Sequence, residues 1–395
     1  MTDSWLQVAV APQLVTLPKP KDVFSSWHLL QYLSFMIQIS AIPSTLLSCQ
    51  IGEVTILTDH SSVEVEFSTP TETLLSGKFY AYNGKVYLHD LRSLIEQAIK
   101  ATGFSVEQFI LCAAYGEEEA ETTFIAVHCD RDIDIYDIDP LFLNHFLTPA
   151  SSRRIAPNSF VFVSWFARKN ERLAYYIYCD YIAAGKPGHI SFLGDYANVN
   201  AVEDNVMTIA ILCDNVQKRA SELAKQEVEL VAFTVRCGDR ATTFFFDRSL
   251  ADGHCFYFRN AFNAPDQIFI PAVATAKTTT DRPIAVLLDT SQFYDSIPMQ
   301  EFELQSAALT SDECLLSEQL FTSEDVRIPY ENQPYDADFD ALRPILITES
   351  TCEIADLSEK PNCVKFTWRH NRNCIAMPNP IGDGIFTEPY NFIFK

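Results

Sequence analysis

Glycine and cationic side chains are both scarce in this chain: 12 glycines and 29 Lys+Arg in 395 residues, against 52 Asp+Glu. So few glycines exclude collagen-like and linker-rich chains. The shortage of cations leaves a formal net charge of −23. Nucleic-acid phosphates and anionic membrane surfaces would therefore both meet a repulsive field. GxGxxG, GxxxxGK[ST], HExxH and GxSxG are all missing, which removes the nucleotide-loop, zincin and hydrolase-elbow signatures. The 11 cysteines include no CxxC pair. An odd, unclustered set within apolar runs such as FILCAAY reads as reduced thiols of a cytosolic setting. MTDSWLQVAVAP has no basic segment leading into an apolar one, so no secretory leader is expected.

Long apolar runs are almost missing too. Val23 to Gly52 carries no formal charge, but His28, Gln31, Ser34, Gln38 and Ser40 interrupt it and Pro43 closes it. A spanning helix needs about 20 predominantly apolar residues, so buried strands or a core helix are expected instead.

What is present is a globular composition, 48% hydrophobic and 21% charged. The length suits two to four domains. Strand signals dominate beyond an N-terminal arm. EVTILTDHSSVEVEF, Glu53 to Phe67, gives two alternating runs around a DHSS turn. Val231, Phe233, Val235 and Cys237 share one face of a strand, as do Val364, Phe366 and Trp368. Further strands are expected at Ile284 to Leu288, Val326 to Ile328 and Ile345 to Thr348. Helices are few. Leu91, Leu94, Ile95, Ala98 and Ile99 recur at helical spacing behind Asp90 as N-cap. Asn215 to Lys225 follows Asp214, and Thr310 with Glu313 has capping-box spacing.

A weak internal repeat organises the chain. Val86 to Arg131 and Met207 to Arg248 both read strand, Asp-led helix, strand, polar turn and a Thr-Thr-Phe strand ending in Asp-Arg. The spacing suits one β-sandwich per repeat and is too long for solenoid or propeller repeats. The expectation is a mainly β protein of tandem β-sandwich (Ig-like/fibronectin-III-like) domains with a few short helices. Its boundaries are an arm with first strands at 1–43, sandwiches at 44–150 and 151–278, and a C-terminal β-rich domain at 279–395.

Candidate chemistry is thin. Asp130, Asp132, Asp134, Asp137 and Asp139 cluster as hard-cation ligands would. Ile135, however, replaces the turn glycine of an EF-hand and Leu141 its bidentate Glu. A solvated strand explains the run better. Cys352, Cys363, His370 and Cys374 supply four zinc-type ligands, but only His370 and Cys374 come at short spacing. His128 and His254 each precede a Cys on a strand, where neighbours point to opposite faces and form no dyad. The chain is expected to be non-enzymatic, with no catalytic residue, cofactor or metal.

Gly77 to Leu91 (GKFYAYNGKVYLHDL) looks like a group of uncharacterised proteins encoded in Bacteroidales phages, prophages and related mobile elements. The likeness continues through Cys255 to Asn263 (CFYFRNAFN), Leu320 to Val326, Pro344 to Thr348 and Lys365 to Arg369, in order. Asn263 stands where that pattern has Gly, and Asn tolerates the same left-handed turn. The resemblance implies a tail-associated virion component assembled in the bacterial host cytoplasm. Its partners would be other virion or tail subunits, with self-association possible, and neither nucleic acid nor membrane insertion is expected. The arm before Asp22 and the tail GIFTEPYNFIFK offer strands for a neighbour's sheet edge. The alternative is a glycan-binding or adhesin-type β-sandwich protein of a gut bacterium. Sixteen Tyr and four Trp would supply its stacking platforms.

Overall fold

The structure is a computed structural model describing residues 37–133, 138–157, 159–169, 171, 174–194, 204–247, 254–287, 290–293, 297–329, 338–353 and 361–371. It is mainly β, with four α-helices among the described residues. The N-terminal arm, residues 23–36 of the uncharged Val23–Gly52 stretch, Cys374 and the GIFTEPYNFIFK tail lie outside the described residues.

Unit one runs β1 (Gln38–Ile39), β2 (Thr45–Leu47), β3 (Val54–Leu57), β4 (Ser62–Ser68), β5 (Thr73–Tyr80), β6 (Lys85–Leu88), α1 (Leu91–Thr102), β7 (Val106–Tyr115) and β8 (Glu118–Val127). A five-stranded sheet is ordered β5-β4-β7-β8-β2, with β2 parallel to β8 and the other pairs antiparallel. A small sheet, β1-β3-β6, faces it. The DHSS turn thus passes the chain from one sheet to the other. Alternation sends Val65, Phe67, Phe109, Leu111 and Phe124 into a core shared with Ile56, Val86 and the helix face Leu91, Ile95 and Ile99. Asp90 occupies the N-cap position of α1 at φ 59°, but its side chain makes no capping bond. Instead the Ser93 hydroxyl donates to the Asp90 carbonyl at 2.9 Å.

Unit two runs α2 (Asp139–Asn144), β9 (Ser152–Ile155), β10 (Phe160–Ala167), β11 (Tyr175–Ala183), β12 (Lys186–Leu193), β13 (Asn205–Leu212), α3 (Cys213–Ala224), β14 (Glu229–Cys237) and β15 (Arg240–Phe246). Its sheet is ordered β12-β11-β14-β15-β9, again with a parallel edge pair, β15 with β9, while β10 pairs with β13. Apart from β1, which has no counterpart among the described residues, this is the strand topology of unit one. The repeat therefore reaches back past Val86 to four strands that share no legible sequence. An immunoglobulin-like sandwich is built from two antiparallel sheets. These units depart from that pattern in the parallel edge and the helix packed into each core. Helix α3 starts two residues earlier than expected and takes Asp214 into its first turn.

One expected face is broken. Phe233, Val235 and Cys237 are fully buried, but Val231 is 44% exposed. The β11–β14 register slips at Asp180/Tyr181, passing from Ala232 to Leu230 and leaving Val231 as the unpaired residue of a bulge.

The third region contains β16 (His254–Arg259), β17 (Pro265–Ile270), β18 (Ala272–Asp281), β19 (Ile284–Leu287), β20 (Thr290–Phe293), β21 (Ile297–Ser306), α4 (Ser311–Thr322), β22 (Val326–Ile328), β23 (Arg343–Glu353) and β24 (Cys363–His370). Seven strands form one sheet, β17-β16-β22-β23-β24-β21-β18. Residues 254–278, which the sequence groups with unit two, pair within this sheet. Val364, Phe366 and Trp368 do share a buried face, which packs on α4. Thr310 and Glu313 do form the capping box.

Candidate functional site

The two repeated units and the seven-stranded sheet meet at a buried junction around the loop 260–264. Asn263 takes the left-handed conformation at φ 55°, which an Asn tolerates better than most residues. The turn turns several backbone and side-chain groups outward to the neighbouring units. Asn263 Nδ2 donates to the Phe104 carbonyl at 2.7 Å and Asn260 Nδ2 to the Leu147 carbonyl at 2.6 Å. The Asp130 amide donates to the Ala261 carbonyl at 3.1 Å. Below the loop, Arg153 of β9 pairs with Asp266 of β17, both almost completely buried. Arg153 also lies over the Phe244 ring at 5.1 Å. Gln267 Oε1 accepts from the Phe162 amide at 2.6 Å.

A second weld lies at the start of α4. Glu313 closes the capping box with the Thr310 amide and also receives Arg154 of β9 at 2.6 Å. Burial by itself would raise the Glu313 pKa; Arg154 and the Thr310 backbone outweigh it and hold the carboxyl below its usual range. Asp312 accepts from the Ser151 amide at 3.1 Å. An apolar cluster of Phe142, Leu147, Phe166, Phe262 and Val127 fills the space between the units. The three parts are thus locked together, and what remains outward-facing is the chemistry open to a partner.

The outward faces of the two five-stranded sheets differ at matched positions. The register aligns Ser76, Glu66, Cys112 and Glu121 across unit one, and Leu193, Tyr176, Arg236 and Ala241 across unit two. The next row of unit one adds Glu64 and Glu119 beside Lys78 and Ala114. Its carboxylates surround Cys112, whose thiol donates to Glu119 at 3.0 Å. Burial, with Glu119 and Glu121 beside it, pushes that thiol up to about 12. The unit-two face instead exposes Tyr176, Tyr178, Ile182, Leu193, Val231 and Phe245. Arg236 lies over the Tyr178 ring at 5.8 Å.

The cation-ligand candidates are scattered. Asp132 binds Arg92 at 2.5 Å, Asp139 pairs with Arg168, and burial raises the Asp130 pKa. Asp134 and Asp137 lie outside the described residues. Cys363 and His370 open and close β24, a separation of about 20 Å along an extended strand. His370 is buried against Phe302 and Trp368. Burial and Arg343 lower its pKa to about 4. No three His, Cys, Asp or Glu side chains among the described residues converge to hold a metal ion. His128 is buried and bonds the Ala261 carbonyl at 3.2 Å, so it belongs to the junction. Of the tryptophans, Trp165 and Trp368 are core residues, and Trp5 and Trp27 lie outside the described residues.

Two features had no forecast. Cys49 shares a hydrogen bond with Cys129, which lowers the Cys49 thiol to about 7 against the opposing effect of burial; the Ile133 backbone and Arg92 assist. A cleft of about 930 Å³ lies between residues 40–54 and the group Ile138, Asp139, Phe166, Arg168 and Asp204. The Arg168–Asp139 pair sits in its wall. Among the described residues no helix is long and apolar enough to cross a membrane. Neither a protein-family model nor a curated protein matches this sequence.

Proposed function

We propose that this chain is a non-enzymatic structural subunit of a phage or prophage particle, tail- or baseplate-associated, working through protein–protein assembly. The observation that carries the reading is the welded junction. Buried ion pairs, loop hydrogen bonds and an apolar cluster fix the repeated units against the third sheet, while sheet faces and a long hairpin expose large apolar side chains among the described residues. A rigid body with open faces suits assembly better than substrate turnover. The resemblance of GKFYAYNGKVYLHDL and its following motifs supplies the phage context, with other virion subunits as partners and the virion, assembled in the host cytoplasm, as location. The tandem sandwich reading of the two repeated units draws support from their shared strand order. Mass spectrometry of purified particles from the encoding element tests the proposal. The chain is expected at defined stoichiometry, and its absence would end the reading.

A second reading, a glycan-binding module, is favoured by one observation. Tyr80 and Tyr82, two residues apart at the β5–β6 turn, are each 75% exposed and present flat rings of the kind that stack on sugar faces. A glycan array with no hit above background would remove it.

A further inference from the structure

The hairpin β18–β21 outreaches the sheet that carries it. Strand β24 supports β21 only from Glu301 to Gln305. Beyond Gln300, the ribbon runs out through Asp281 and Ile297 to the β19–β20 tip with no third strand among the described residues. That is a projection of up to ~30 Å at strand spacing. A two-stranded ribbon alone is marginal in water. This one places Ile284, Val286 and Phe293 on a single face, because Ile284 pairs with Phe293 and Val286 is two residues on. All three are more than half exposed. A soluble chain of charge −23 gains nothing from an unsupported arm with an apolar tip unless something covers it.

We propose that this arm docks on the outer face of the second five-stranded sheet in another copy of the same chain, giving head-to-tail association. The proposal rests on the assembly reading above. Three observations choose the occupant. The unit-two face exposes Tyr176, Tyr178, Leu193 and Phe245, and the carboxylate in its middle, Asp180, is paired with His189 at 2.5 Å. At that face Arg236 meets a tyrosine ring and no carboxylate among the described residues, while Asp281 at the neck of the arm pairs with no cation among the described residues. Finally, the matched face of unit one carries Glu64, Glu66, Glu119 and Glu121, which would repel Asp281. Because arm and face are different surfaces, each copy keeps one of each after joining, so the contact propagates.

Sedimentation velocity on the full chain, from micromolar to hundreds of micromolar, tests this. Wild type is expected to grow beyond dimer with concentration. An arm variant (Val286→Asp with Phe293→Asp) and a face variant (Tyr176→Asp with Tyr178→Asp) should each lose at least tenfold in affinity, with circular dichroism showing the wild-type fold. Phe293→Leu should retain association. An equimolar mixture of the two variants has one intact arm and one intact face, so it should form dimers and stop there. A monomeric wild type, or an arm variant that associates like wild type, overturns the proposal. Particle composition separates the two readings. A chain present in particles but monomeric in solution defeats the arm contact and leaves the assembly role standing. A chain that associates through its arm but is absent from particles does the reverse.

Discussion

Units one and two are the same scaffold read twice, and they agree where folding constrains them and differ where it does not. On the inner faces, Phe109 pairs with Phe124 in unit one and Phe233 with Phe244 in unit two, all fully buried. On the outer faces the matched row changes from Glu66, Cys112 and Glu121 to Tyr176, Arg236 and Ala241. Packing density leaves the core little freedom. An exposed sheet face is free to vary with its partner. On the proposed arm contact, unit two's outer face is the contact surface and unit one's is the one kept in water.

The inner-face half of this comparison gives the largest expected effects. Phe109→Ala and Phe233→Ala should each cost about 3–5 kcal/mol in urea denaturation. If one is tolerated, the cores are not equivalent. At the shared junction, Arg153→Met leaves Asp266 buried and unpaired and should cost a similar amount, about 3–5 kcal/mol. Adding Asp266→Leu should recover most of it.

The thiols separate by reactivity. Iodoacetamide labelling of Cys49 should rise through pH 7, where its lowered pKa makes the thiolate abundant, and fall about tenfold per unit below pH 6. Cys112, held up near 12, should stay nearly unlabelled at pH 8 although it is only partly buried. Mass-spectrometric mapping reads both, and fast labelling of Cys112 would contradict the acidic account of that face. His370 gives a stability window. Its folded pKa is depressed, so its contribution is present above about pH 6.5 and is lost as pH falls towards 4. His370→Gln should flatten acid unfolding in that window. The smallest effects belong to the outer faces. Glu66→Gln and Tyr176→Ser should change stability by less than about 0.5 kcal/mol each, while only the second alters association.

Much of the local structure is legible from residue pattern. The Thr310–Glu313 box, the α1 face and the Val364–Trp368 strand follow from spacing that packing reinforces. Val231 does not, because its exposure comes from a bulge set by a partner strand some fifty residues earlier. The parallel edges β2 and β9 pair with strands about 80 and 90 residues later, and nothing in three or four residues encodes such a partner. Glu313 announces its cap, but its bond to Arg154 is tertiary. The exposed tyrosines had a signal in YYIYCDYI, where one alternating set is wholly apolar and the other is broken only by Asp180. That pattern ordinarily means burial on both sides, and only the fold shows one side left open.

The most direct test of the divergent faces is hydroxyl-radical footprinting of the full chain at low and high concentration. The account predicts that labelling of Tyr176, Tyr178, Ile284 and Phe293 falls as concentration rises, while Tyr80, Tyr82 and Tyr115 of unit one label equally at both. Protection that is uniform, or that appears on unit one instead, would contradict it.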